Sequence, residues 1–157
     1  MLEKCRSAQE RWGGVNEIID RWLKCRKDLL VLLVELGQEN ETREQTLESF
    51  CQILVDYASA GYFGVYDQLI KEGHAFHDDA GLEVAQTLFA VIDRTTEVIL
   101  DFNDKYEATD DLATLDQDVS LLAEQLAVRF EAEDRMIAVL HLAHSNKAEN
   151  EATAVVT

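Results

Sequence analysis

Residues 42–73 read TREQTLESFCQILVDYASAGYFGVYDQLIKEG, and their apolar residues recur with helical spacing. One face of a helix that turns by about 100° per residue would carry Leu47, Phe50, Leu54, Tyr57, Gly61, Val65 and Leu69. Thr42 and Gln45 have the spacing of a capping box, and Gly73 follows the last turn. The stretch therefore predicts one amphipathic helix from about Thr42 to about Gly73.

Three further segments show the same periodicity on either side of residues 42–73. The first runs from about Ser7 to residue 36, with a break at Gly13-Gly14 that separates a short N-terminal helix. Another begins after Asp78-Asp79, and the last begins near Thr109. Four such helices with short polar loops predict an all-α fold, an antiparallel up-and-down four-helix bundle with a short extra N-terminal helix.

The length and composition favour one helical domain. The chain has 157 residues, which is about the size of a single domain, and it contains 7 glycines and no proline. An all-β protein normally uses both residue types in its turns, so the composition argues against that class. We expect residues 1–146 to form the bundle domain. Residues 147–157 are small, polar or acidic, and we expect them to form a disordered tail.

Cysteine usage and hydropathy predict a cytoplasmic protein. The 3 cysteines are odd in number and form no C-x-x-C pair, which argues against a disulfide framework and a cysteine-based zinc site. The first residues lack the apolar core of a signal peptide, and no apolar run approaches the roughly 18 residues of a membrane span. We therefore expect a reducing compartment and no membrane association.

The charge is strongly negative and unevenly distributed. The formal net charge is −17; residues 1–36 carry 7 basic and 6 acidic residues, whereas residues 37–157 carry 7 basic and 25 acidic residues. Such a field repels phosphate backbones and predicts no direct binding to nucleic acid. It attracts basic protein surfaces, although an acidic surface can also serve solubility alone.

No arrangement of residues predicts catalysis, a cofactor or a metal site. The four histidines form two pairs, His74 with His77 and His141 with His144. The Glu-x-x-His motif of di-iron bundles is absent, as are H-E-x-x-H and a phosphate-binding glycine loop. The first pair is typical of a surface loop, and the second suits the C-terminal end of a helix. The sequence predicts a protein that is not an enzyme.

Charged residues interrupt the apolar stripes of the first and last helices. Arg26 projects among apolar residues of the first, and Arg129 and Glu133 flank the stripe of the last. We predict that these three converge at one level of the bundle, with Asp56 as a candidate fourth member. They form either a structural ion-pair network or a polar groove open to a partner, and long stems could also reach solvent.

The second helix carries an unusual outer face. Gln52, Asp56, Ser59, Phe63 and Tyr66 project together, opposite the core stripe. Aromatic residues with small and polar neighbours are typical of a protein interface, although a further helix could instead cover them. Asp56 is either an exposed contact for a partner or a buried partner of Arg26.

Several motifs resemble the regulator of sigma D (Rsd)/AlgQ family. They are Asp20-Arg21-Trp22-Leu23 with Arg26, Phe50-Cys51-Gln52-x-Leu54-Val55-Asp56-Tyr57-x-Ser59-Ala60-Gly61-x-Phe63-x-x-Tyr66, and Arg129-Phe130-x-x-Glu133-Asp134. The resemblance covers roughly residues 2–144, and the opening segment is most similar to the AlgQ branch of pseudomonads. Tyr62 stands where the family usually has histidine.

The resemblance implies an anti-sigma factor that acts in transcription regulation, with links to stationary phase and alginate regulation. The implied partner is region 4 of the primary sigma factor, which the protein would keep from core polymerase and the −35 promoter element. The implied partner-binding residues are Asp20, Arg21, Trp22, Arg26, Asp56, Tyr57, Ser59, Gly61, Phe63, Tyr66, Arg129, Phe130, Glu133 and Asp134. The alternative is an acidic helical module that binds another cytoplasmic partner or its own copy. We expect a monomer or a weak homo-oligomer.

Overall fold

The computed structural model describes the backbone of residues 2–144 and the side chains of residues 15–144. Within that range the chain is helical and has no strand. The helices are α1 (Leu2–Leu36), α2 (Arg43–Ala60), α3 (Tyr66–Ala75), α4 (Asp79–Ala108) and α5 (Leu115–Ile137). A π-helical segment, Gly61–Val65, joins α2 to α3, and another, Ala138–Leu142, continues α5. The four resulting rods confirm the all-α four-helix bundle.

The apolar stripe of residues 42–73 forms part of the core, as predicted. All of its members are buried: Leu47, Phe50, Leu54, Tyr57, Gly61, Val65 and Leu69. The other helices bury their own stripes against it, including Trp22 and Leu29 of α1, Ile92 of α4 and Leu122 of α5. Burial of each large apolar side chain contributes roughly 1.5–3 kcal/mol, so this shared core holds the rods together.

The rods pack in the order α1, α2–α3, α4 and α5 around the core. Contacts between α1 and α5 show that they run in opposite directions, since Asn16 meets His141 and Arg26 meets Glu133. The α2–α3 rod and α4 are also antiparallel, because Tyr62 meets Thr96 and Tyr66 meets Phe89. Backbone contacts between α1 and α5 are few, and long side chains fill the space between them.

The expected short N-terminal helix does not exist as a separate element. The backbone of α1 is one helix from Leu2 to Leu36, and it runs through Gly13-Gly14 without a break. A glycine inside a helix costs only about 1 kcal/mol relative to alanine, and the chain has no proline to end the helix. The expected start at Ser7 is also wrong. The expected tail, residues 147–157, lies outside the described residues, and the domain boundary stays a prediction.

Two helix starts differ from the prediction because short polar side chains bind the backbone in other ways. Thr42 precedes α2 but caps nothing with its side chain, since its hydroxyl and amide both donate to Asn40 Oδ1 at 2.9 and 3.0 Å. The last helix begins at Leu115 rather than near Thr109. Thr109 Oγ1 accepts from the Asp111 amide at 3.1 Å, which favours a turn over a helix.

The third helix starts at Asp79, one residue before the predicted start, and it has acids at its N-terminus as predicted. Asp78 is the N-cap of α4, and its Oδ1 accepts a hydrogen bond from the Gly81 amide at 2.9 Å. The cap satisfies one of the free amides of the first turn and places a negative charge at the positive end of the helix.

Candidate partner-binding surface

A buried polar cluster occupies the centre of the bundle around Glu133, whose side chain has no exposed surface. The Tyr57 hydroxyl donates to Glu133 Oε1 at 2.7 Å, and the Tyr66 hydroxyl donates to Oε2. Arg129 Nε and Arg26 Nη2 each lie 3.5 Å from a carboxylate oxygen of Glu133. The predicted convergence of Arg26, Arg129 and Glu133 is therefore confirmed, and it takes the form of an ion-pair network rather than an open groove.

Arg129 is fully buried and anchors the cluster to α4. Its Nη1 donates to the hydroxyls of Thr95 at 3.1 Å and Thr96 at 2.8 Å. The Tyr62 hydroxyl donates to Asp93 and lies 3.2 Å from the Thr96 hydroxyl. These polar partners on α4 make it possible to bury a guanidinium that would otherwise be very costly to desolvate.

Arg26 connects the cluster to the surface. Its guanidinium lies 4.7 Å from the ring centroid of half-buried Phe130 and 5.2 Å from that of Trp22. Its Nε donates to the Tyr57 hydroxyl at 3.0 Å, and its Nη1 donates to Asp134 at 2.6 Å. Asp134 is largely exposed, so it is the place where this network reaches solvent.

The cluster changes the acid–base behaviour of its members. Burial raises the pKa of Tyr57 and of Tyr66 well above the usual range, and the adjacent Glu133 carboxylate raises them further. Burial also raises the pKa of Glu133, while Arg129 and the two tyrosine hydroxyls act in the opposite direction. Both tyrosines therefore stay protonated and act as donors at neutral pH.

Aromatic packing holds the first π segment, Gly61–Val65, against this cluster. Trp22 stacks on Tyr57 with ring centroids 4.8 Å apart and donates to the Tyr57 carbonyl at 3.1 Å. Gly61 allows this approach, because a Cβ at that position would lie 3.1 Å from the Tyr66 hydroxyl and 3.3 Å from the Trp22 ring. The residues of this packing are all buried, so they support the exposed residues of α2 and the π segment: Trp22, Tyr57, Gly61 and Tyr66.

The exposed residues form what we call the α2 face, namely Asp56, Ser59 and Phe63. Phe63 lies in the first π segment, and its side chain is 86% exposed. Asp56 accepts a hydrogen bond from Gln52 Nε2 at 3.2 Å. Since spacings of three, four and seven residues place helical side chains on one side, the three residues form one solvent-facing stripe.

Two predictions about this face are wrong. Tyr66 is not part of it, because a π turn takes more residues than an α turn and rotates the following residues inward. Asp56 is not a fourth member of the buried cluster. It lies two residues after Leu54 of the core stripe, which is a rotation of about 200° around the helix axis, so its side chain points outward. Asp134 and the two tyrosines instead complete the network. The alternative of a buried Asp56–Arg26 pair is thereby removed.

Asp20 and Arg21 lie away from the cluster on the outer side of α1. Both side chains are exposed, and Arg21 forms a 3.7 Å pair with Glu17 one turn earlier. Pairs of this kind contribute about 0.3–0.5 kcal/mol at most, so they do not fix a site.

Sequence reasoning missed a second polar cluster at the end of the bundle. His141 is buried, with Nδ1 2.9 Å from Glu72 and Nε2 2.9 Å from Asn16. His144 is also buried, and its Nε2 lies 2.8 Å from Asp78. The signal was available, since two histidines three residues apart adjoin the apolar stripe that ends at Leu140. These contacts tie α5 to α1, α3 and the start of α4.

The described part of the chain shows no grouping of three or more His, Cys, Asp or Glu side chains that could hold a metal ion. Cys25 and Cys51 are free thiols. Among the described residues, no helix is long and apolar enough to cross a membrane.

Comparison with known proteins gives consistent results over nearly the whole chain. A family model described as "Regulator of RNA polymerase sigma(70) subunit, Rsd/AlgQ" matches residues 1–141. A protein of Enterobacter sp. named Regulator of sigma D is 37% identical over 165 aligned positions, which cover 96% of each chain. Proteins of the same name from Yersinia enterocolitica and Salmonella arizonae are each 35% identical over 148 positions, and cover 87% of this chain and 88% and 90% of their own lengths.

Proposed function

Since this chain belongs to the Rsd/AlgQ family of regulators of the RNA polymerase sigma(70) subunit, we propose that it binds region 4 of the primary sigma factor. Binding would keep region 4 from core polymerase and from the −35 promoter element. The protein would thus act in the cytoplasm as an anti-sigma factor without catalytic activity. On the resemblance alone, the proposal extends to stationary phase and alginate regulation.

The α2 face supports this proposal most directly. Phe63 is 86% exposed although it is a large aromatic residue on an otherwise well-packed rod. Burial of such a ring in a complex contributes roughly 2 kcal/mol, which is typical of an interface anchor. Asp56 lies on the same stripe and can accept hydrogen bonds from an arginine or a backbone amide of the partner.

The polar cluster supports the α2 face by holding its helix in place. Tyr57 follows Asp56 in α2 and is bonded to Arg26, Glu133 and Trp22 on two other rods. Such bonds fix the rotation of α2 about its axis and so fix the direction in which the exposed residues point. A binding surface that is rigid before contact loses less entropy on association.

The charge distribution favours a basic protein partner over nucleic acid. The net charge of −17 repels phosphate groups and attracts the basic surface of a domain that reads DNA. Asp56 and Asp134 add negative charge close to Phe63 and Phe130. Direct binding of this protein to promoter DNA is therefore not part of the proposed mechanism.

A homo-oligomer through the α2 face is the competing arrangement. With Tyr66 buried, that face offers one aromatic ring, and a two-fold interface would bring the acidic surfaces of both copies together. We expect a monomer or a weak homo-oligomer. Sedimentation of the free protein and of its mixture with region 4 distinguishes this arrangement from the proposed heterocomplex.

Titration of region 4 against matched variants tests the proposal. Phe63→Ala and Asp56→Asn should each weaken binding by about thirtyfold, because hot-spot residues contribute about 2 kcal/mol. The controls are Leu121→Ala, which changes an exposed apolar residue on α5, and Asp101→Asn, which changes an exposed acid on α4. Each should change the affinity less than about twofold, as expected for a neutral surface change. Equal affinities for all four variants would refute the role of the α2 face. Absence of binding by the unchanged protein would refute the proposed partner.

A further inference from the structure

A groove separates the N-terminal half of α2 from the C-terminal end of α4. It has a volume of about 560 Å³ and continues under the loop that precedes α5. Its lining includes Leu47, Val55 and Leu112, which provide apolar surface, and the ring of Tyr106. We call it the acidic groove because of the residues along its edges.

Four carboxylates line the acidic groove, with Glu44 and Glu48 on α2 and Glu107 and Asp110 on the opposite side. None of them forms an ion pair or hydrogen bond with a described residue, although other surface acids such as Asp116 and Asp118 do. The nearby Glu107 carboxylate and burial together raise the pKa of the Cys51 thiol to about 11, burial being the larger cause. The groove is therefore a region of concentrated negative potential.

Asn103 adds an unsatisfied acceptor at the groove. It lines the groove, and its side-chain oxygen is buried without a hydrogen-bond donor among the described residues. A buried acceptor that lacks a donor costs about 1–3 kcal/mol. The groove thus combines four carboxylates and the Asn103 oxygen with apolar surface. A partner that binds there must carry hydrogen-bond donors, positive charge and apolar side chains.

We propose that the acidic groove binds a basic amphipathic segment of a protein partner. Arginine or lysine side chains of that segment pair with the carboxylates at the edges, and its apolar side chains cover Leu47, Val55 and Leu112. The inference concerns a site other than the α2 face and does not depend on the identity of the protein bound there.

The dimensions of the groove fit a short helical segment. Its α2 side extends from Glu44 to Val55, which is about 16 Å at 1.5 Å per residue, or three helical turns. Glu44 and Glu48 are one turn apart on the same side of α2, about 6 Å at their Cβ atoms, which matches basic residues four apart on a facing helix. Gln52 lines the groove and also donates to Asp56, so the groove adjoins the α2 face.

The test uses a synthetic peptide of about three helical turns with leucine along one side and arginine on both flanks. Binding is followed through the NMR signals of the Asn103 side-chain amide. We expect these signals to shift with the arginine peptide and not with a version in which glutamate replaces arginine. The double variant Glu48→Gln, Glu107→Gln should bind the peptide about tenfold more weakly, because two charges that face the peptide are lost.

The control variant is Glu83→Gln, Glu131→Gln, which removes the same charge from exposed positions elsewhere on α4 and α5. It should change the affinity less than about twofold, as expected for exposed charges far from the site. Equal weakening in the control would overturn the proposal, because only the overall field would be acting. The proposal would also be overturned if spermidine bound as tightly as the peptide, or if Asn103 did not respond. No sigma factor is used, so failure here leaves the proposed function untouched.

Discussion

Replacement of Glu133 by alanine should destabilise the bundle by about 4 kcal/mol. The change removes the acceptor for the Tyr57 and Tyr66 hydroxyls and the carboxylate that pairs with Arg129, whose side chain has no exposed surface. Among the described residues, Arg129 would then keep neutral acceptors on α4 and the Tyr66 hydroxyl. Loss of one partner of a buried ion pair costs about 3–5 kcal/mol, and a hydrogen bond to a charged group contributes about 1.5–3 kcal/mol.

The magnitude can be measured by thermal and urea unfolding followed by far-UV circular dichroism. For a chain of this length about 1 kcal/mol shifts Tm by roughly 3 °C, so Glu133→Ala should lower Tm by about 12 °C. Glu131→Ala is the matched control, because Glu131 is exposed on the same helix and should change stability by less than about 0.5 kcal/mol.

A double variant separates an uncompensated charge from a simple loss of packing. Glu133→Leu combined with Arg129→Met should be more stable than Glu133→Ala, since it leaves no buried charge unpaired. A loss below about 1 kcal/mol for Glu133→Ala would refute the reasoning. So would a double variant that is less stable than the single one.

Three further predictions concern the supports of the site. Burial raises the pKa of Tyr57 and of Tyr66, so the unfolded tyrosines lose their protons first. Their stabilisation is complete below pH about 10 and falls above it by about 1.4 kcal/mol per pH unit for each, so Tyr57→Phe should lower the slope of the unfolding free energy in alkaline buffers by about that amount. Gly61→Ala should lower the free energy of unfolding in urea by about 1–3 kcal/mol, because the new Cβ would lie 3.1 Å from the Tyr66 hydroxyl. An unchanged urea midpoint would contradict this, since it would mean that the rods separate there without cost. His141→Leu should cost about 2 kcal/mol by leaving Glu72 without its imidazole partner, and Glu72→Leu in the same chain should recover part of the loss in thermal unfolding.

The helical architecture could be predicted because it depends on the repeating burial of apolar residues. Leu47, Leu54 and Leu69 are buried as expected, and the N-cap at Asp78 is where an acid was expected to begin a helix. A hydrophobic stripe gives the same signal whatever the exact start of a helix. The starts at Thr42 and Thr109 were less predictable, since short polar side chains there can bind the backbone in several ways.

The buried cluster could be predicted in part. A charged residue within an apolar stripe must find a partner, so the convergence of Arg26, Arg129 and Glu133 followed from their positions. Tyr66 could not be identified as a partner, because the π segment that precedes it changes its rotation and leaves no signal in helical periodicity. Periodicity placed Asp56 on the outer face, and the fold decided between that position and a buried pair with Arg26.

The central claim is that the α2 face contacts region 4, and a photoreactive phenylalanine analogue at position 63 tests it most directly. The analogue occupies the most exposed aromatic position among residues 15–144 and reacts with whatever lies against it. With the complete primary sigma factor present, we predict a covalent product whose sigma peptides map to region 4, while the same analogue at Leu121 gives none. Products that map to another part of the sigma factor, or to a second copy of this chain, would contradict the account.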